Sequence, residues 1–85
     1  MVETEVGFIF QYFAKVGVAA VNITGDGLKV GDKIHVLGHT TDFTQRVESI
    51  QVEHSSVQEA KKGQSVGIKM LDRVRPHDKI YKVDD

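Results

Sequence analysis

The chain has 85 residues, no cysteine, 27% charged residues and a formal net charge of −1. Folding at this size buries only about 60–65% of the surface the unfolded chain exposes, and the lack of cysteine excludes disulfide staples and thiolate zinc sites. No run of about 18 apolar residues is present to span a membrane, and the acidic start Met1-Val2-Glu3-Thr4-Glu5 lacks the basic opening of a signal peptide. The expectation is one cytoplasmic domain over residues 1–85, monomeric, with no membrane partner.

Glycines and the lone proline divide the chain into short segments, the pattern of an all-β protein. Val6, Phe8, Phe10 and Tyr12 recur at period two and predict a first strand with these residues on one face. Ala14-Lys15-Val16-Gly17 is the turn, with Gly17 free to take positive φ, and Val18–Thr24 returns as the second strand. Gly25-Asp26-Gly27 and Val30-Gly31-Asp32 are turns leading into a third strand, Lys33–Gly38, where Ile34 and Val36 share a face opposite His35 and Leu37. After the polar loop His39–Asp42, residues 43–54 predict a fourth strand. Val47 is out of phase with Ile50 and Val52, so a β-bulge is expected at Glu48-Ser49.

Residues 56–62 predict at most one helical turn, capped by Ser56 and ended at Gly63. Ser65–Met70 alternates as the fifth strand and Lys79–Val83 makes the sixth. Arg75-Pro76-His77-Asp78-Lys79-Ile80 echoes Val30-Gly31-Asp32-Lys33-Ile34, with His77 standing where Gly31 stands. Histidine is among the better non-glycine choices if that corner needs positive φ.

Leu28-Lys29-Val30-Gly31-Asp32-Lys33-Ile34 resembles the K-x-G-D-x-[IV] corner in domain 2 of elongation factor Tu and related translation GTPases. Ala60-Lys61-Lys62-Gly63-Gln64-Ser65-Val66-Gly67-Ile68 is similar to their A-x-x-G-x-x-V-G-[IL] segment, and Arg73–Tyr81 to the closing hairpin. The resemblance runs from Val6 to Val83 and implies a six-stranded closed β-barrel. Similar barrels occur at the C-terminal end of a collagenase-like peptidase family and in some RNA-associated proteins. The GTPase domain itself has no counterpart, since G-x-x-x-x-G-K-[ST] and N-K-x-D are both missing, so no nucleotide partner is expected.

No catalytic, cofactor-binding or metal site is expected. His35 and His39 lie about 13 Å apart on a regular strand, too far to share one ion; His54 and His77 are solvated. Gly25-x-Gly27-x-x-x-Gly31 has the wrong spacing for a dinucleotide loop and leads into a strand. The serines lack a nucleophile elbow, and Asp42 beside His39 and Thr40 serves as a turn former rather than half of a dyad.

Charge is distributed unevenly. Residues 1–60 carry four basic and eight acidic side chains, whereas residues 61–82 carry seven basic and two acidic ones. A basic third on a near-neutral chain is the footprint of an anionic partner, and Arg46, Lys69, Arg73, Arg75 and Lys79 are its candidate RNA-binding residues. Phe43 either stacks beside them or plugs one end of the barrel. The expected function is that of a non-catalytic RNA- or ribosome-associated module. The alternative is a protein-interaction module docking on a separately encoded enzyme or translation factor through exposed Ile9, Leu37 or Phe43.

Overall fold

The computed structural model describes residues 2–53 and 55–84; His54 lies outside them. Ten strands follow one another: β1 (Val2–Phe13), β2 (Val18–Ile23), β3 (Leu28–Lys29), β4 (Lys33–Leu37), β5 (Asp42–Arg46), β6 (Ile50–Val52), β7 (Ser55–Val57), β8 (Glu59–Ala60), β9 (Ser65–Lys69) and β10 (Lys79–Asp84). Eight form one sheet in the order β5-β4-β10-β1-β2-β9-β6-β7, and β3 pairs with β8 alone. Every pairing is antiparallel. Among the described residues no helix is long and apolar enough to cross a membrane.

The all-β expectation stands, but the six-stranded closed barrel does not. The sheet is open, with β5 and β7 at its edges. The cause lies at Val47, where the predicted fourth strand breaks in two instead of bulging at Glu48-Ser49. Val47 N–H donates to the Asp32 carbonyl at 2.9 Å, and its carbonyl accepts from Gly31 N–H at 2.8 Å. Its side chain is buried in the core. Pinned to that corner, the chain leaves β5 beside β4 and carries β6 over to β9 and β7.

A side chain bridges the gap between β5 and β9. Gln45, 5% exposed, donates from Nε2 to the Lys69 carbonyl at 2.9 Å and accepts at Oε1 from Leu71 N–H at 2.8 Å. One primary amide thus satisfies two backbone groups that a neighbouring strand would otherwise serve. The sheet curls back on itself through this contact, without a ladder.

The bulges sit in β1. Its register slips between Glu5 and Gly7 against β10, and between Ile9 and Gln11 against β2. Each slip resets the inward phase. Val6 and Ile9 are buried, Tyr12 packs on the core, and Phe10 turns outward at 43% exposure. The single face of Val6, Phe8, Phe10 and Tyr12 is therefore corrected.

The helical turn at 56–62 is corrected as well. Ser56 and Val57 belong to β7 and Glu59-Ala60 form β8, with a bend at Gln58 between them and a turn after Lys61. Ala60 pairs with Leu28 in a two-stranded ladder, both side chains buried. A single helical turn gains one hydrogen bond for three ordered residues, whereas this ladder also buries two apolar side chains. Elsewhere the expected alternation holds: Ile34, Val36, Val66 and Ile68 all enter the core.

The two corners prove to be one design used twice. Gly31 has φ 97° and His77 has φ 77°. Asp32 N–H donates to the Lys29 carbonyl and Asp78 N–H to the Arg75 carbonyl, both at 3.1 Å. In return, each aspartate accepts from the backbone N–H three residues earlier, at 2.8 Å. Gly17, with φ 68°, takes the left-handed conformation expected of it.

Candidate functional site

The five basic candidates do not form one patch. Arg46 lies on β5 and donates from Nη1 to the Gly31 carbonyl at 3.1 Å. Lys79 pairs with Glu5 at 3.6 Å, and Lys69 ends β9 with its side chain exposed. Only Arg73 and Arg75 come together, on the loop between β9 and β10. With Asp72 from the same loop, and with Thr40, Thr41, Asp42 and Phe43 opposite, they line a pocket of about 300 Å³. Phe43 is half-buried; it packs on the core and walls this pocket at once.

Asp42 is engaged by His35, not by His39. The His35 imidazole sits on the outer face of β4, with Nδ1 2.8 Å from Glu3 Oε1 and Nε2 2.5 Å from Asp42 Oδ1. The Tyr81 ring lies across from it, centroids 6.4 Å apart. Hydrogen bonding to Glu3, and then to Asp42, raises the His35 pKa above its usual value, against the opposing effect of burial. With both ring nitrogens donating, the imidazolium ties β1, β4 and β5 together.

A raised folded-state pKa means that folding is stabilised by proton uptake. That stability is fully present below the unfolded-state pKa, about 6.5, and is lost as pH rises through the higher folded-state value. The melting-temperature advantage of the native protein over His35→Gln is therefore expected to be larger at pH 6 than at pH 9. Equal advantages at both pH values would show that the two carboxylates bind neutral imidazole as well as imidazolium.

An apolar groove occupies another face. Phe10 and Phe13 from β1, Val18 and Ala20 from β2, and Val66 and Gly67 from β9 line it, with Gln51, Glu53 and Ser65 at its polar margin. Its volume is about 280 Å³. Phe10 and Phe13 are 43% and 45% exposed, which is unusual for two aromatics on one strand of a small protein. Ser65 is held at its margin by donating to Asn22 Oδ1 at 2.5 Å.

Sequence reasoning missed this groove because strict alternation puts Phe10 on the same face as Val6 and Tyr12. The bulge that turns Phe10 outward depends on cross-strand register, which no local periodicity reports. Of the apolar residues expected on the surface, Ile9 is fully buried, Leu37 is exposed at 38%, and Phe43 is only half-covered.

No protein-family profile matches the chain. It is 41% identical over 83 residues to a collagenase of Porphyromonas gingivalis, covering 96% of this chain and 23% of that protein. It is 40% identical over 78 residues to an uncharacterized protease of Methanocaldococcus jannaschii, covering 91% of this chain and 19% of the protease. Among solved structures, it superposes on the C-terminal domain of a U32 peptidase from Geobacillus thermoleovorans with a TM-score of 0.87 and 25% identity. That match covers 96% of this chain and 93% of the domain.

These similarities overturn three expectations. The relatives are named as peptidases, so the likeness to domain 2 of elongation factor Tu does not identify the family. The RNA- or ribosome-associated module falls with it, and so does the placement of the chain outside enzyme families. The shared corner motif explains the misassignment: glycine or histidine at positive φ followed by aspartate builds a backbone turn and specifies no partner. The chain spans about a fifth of the length of the curated relatives it matches, and over nearly all of its own length it is similar to the C-terminal domain of a U32 peptidase.

Proposed function

We propose that this chain serves peptide-bond hydrolysis as the polypeptide-holding domain of a U32-type collagenase or protease. The observation that carries this reading is the 41% identity to a collagenase across 96% of the chain. The groove supports it. Chains rich in glycine and proline favour the extended polyproline II form, which is already ordered before binding, and their pyrrolidine rings dock on aromatic walls. Phe10 and Phe13 supply two such walls, with Gly67 of β9 in the lining and a polar margin for backbone hydrogen bonds.

The test is a titration of the isotopically labelled protein with a glycine- and proline-rich peptide, followed by amide chemical shifts. Shifts are expected at Phe10, Phe13, Val18 and Gly67. The double variant Phe10→Ser/Phe13→Ser is expected to bind roughly tenfold more weakly or worse, a loss of about 1.4 kcal/mol or more. Phe10 and Phe13 are 43% and 45% exposed, so the variant loses part of their burial and is expected to melt below the native protein. Binding is therefore compared at a temperature where both proteins remain folded. Absence of shifts at millimolar peptide, or shifts confined to other faces, would overturn the reading.

A further inference from the structure

The pocket between the loops 40–43 and 72–75 carries charge that the fold itself does not use. Val74 is buried, 2% exposed, and anchors the middle of its loop. Its neighbours on either side, Arg73 and Arg75, are exposed and line the pocket together. Among the described residues neither guanidinium takes part in an ion pair or a side-chain hydrogen bond.

The two carboxylates at the pocket are already engaged. Asp42 holds His35 Nε2, and Asp72 Oδ1 accepts from Arg73 N–H at 2.7 Å. Two arginines with uncommitted forks thus share the lining of a space of about 300 Å³ with Thr40 and Thr41. Planar guanidinium forks match a carboxylate in bidentate fashion, and hydroxyls add further donors.

We infer that this pocket is a carboxylate subsite for polypeptide, taking either an acidic side chain or a free C-terminal carboxylate of the bound chain. The inference rests on the polypeptide-binding reading above and assigns that reading a polar specificity. A single carboxylate fits better than a phosphate chain because Asp42 and Asp72 also line the wall. Dense, repeated negative charge would meet them, whereas one carboxylate can be held by the arginines alone.

The test uses the full chain and three peptides. The first is N-acetylated and C-amidated, rich in glycine and proline, with one glutamate. The second replaces glutamate with glutamine, and the third is the glutamine peptide with a free C-terminal carboxylate. The glutamate peptide, the free-acid peptide or both are expected to bind about tenfold or more tightly than the amidated glutamine peptide, with added shifts at Thr41, Phe43, Arg73 and Arg75. Which of the two gains identifies the source of the carboxylate. The double variant Arg73→Gln/Arg75→Gln should abolish the gain while leaving the amidated glutamine peptide unchanged.

Three outcomes overturn the inference: no gain from either carboxylate, a gain that survives in the double variant, or a uridine-rich RNA oligomer binding more tightly at the same amides. Failure of the groove reading looks different. In that case the amidated glutamine peptide produces no shifts, while a carboxylate gain at Arg73 and Arg75 can still appear.

Discussion

Replacing Gly38 with alanine is expected to destabilise the protein by about 2–5 kcal/mol, a large share of the roughly 5–15 kcal/mol that holds a small domain folded. A Cβ at Gly38 would stand 2.5 Å from Asp78 Cγ and overlap its Oδ1. Asp78 is 4% exposed and cannot simply swing into water. Its Oδ2 accepts Arg75 N–H at 2.8 Å, and its carbonyl accepts Ile9 N–H at 2.7 Å. Moving the carboxylate therefore strips the corner at His77 of the bond that closes it. The melting temperature should fall by roughly 8–40 °C, given about 4–8 °C per kcal/mol at this size. Gly31→Ala is the control: nothing lies within 4 Å of a Cβ there, so only the left-handed backbone costs, about 1–2 kcal/mol. A Gly38→Ala protein melting within a few degrees of the native one would mean that Asp78 repacks freely.

The second large effect is expected at Gln45. Gln45→Leu keeps the volume near that of the native side chain but leaves the Lys69 carbonyl and Leu71 N–H without partners. Both contacts are part-buried and Leu71 is 63% exposed, so water offsets some of the cost of the freed groups, and a loss of about 1–3 kcal/mol is expected in chemical denaturation. The amide hydrogen of Leu71 should exchange faster by more than the global loss predicts, because its hydrogen-bond acceptor is Gln45 Oε1. A merely global change in exchange would show that the bridge is dispensable to the curl of the sheet. The same variant probes function, since Gln45 holds the start of the loop that presents Arg73 and Arg75.

Much of the fold was legible because period-two alternation is a local property. Ile34 and Val36, and then Val66 and Ile68, point inward in the structure as their spacing requires. The paired corners were legible for a related reason: positive φ at residue 31 or 77 is a demand that glycine and histidine meet at low cost. The site was far less legible. Arg46, Lys69 and Lys79 share a charge sign with Arg73 and Arg75 but stand on separate strands, and Lys79 is partnered by Glu5. Alternation puts Phe10 on the face of Val6 and leaves Ile9 exposed, whereas two register slips in β1 turn Phe10 outward and bury Ile9. The family motif was read correctly as a corner and wrongly as a partner, because a turn constrains the backbone and not what the finished surface meets.

By itself, then, the amino-acid sequence determined the all-β class, the left-handed corners at Gly31 and His77, and the inward faces of the regular strands. Each follows from dihedral preference or from alternation within a few residues. Only the tertiary structure decided that the sheet stays open, that Gln45 closes the gap with one amide, and that Phe10 faces outward. It also decided which two arginines share a pocket. These depend on register and on contacts between residues such as Gln45 and Leu71, 26 positions apart, where the free energy of pairing is settled by the whole fold and not by neighbours in the chain.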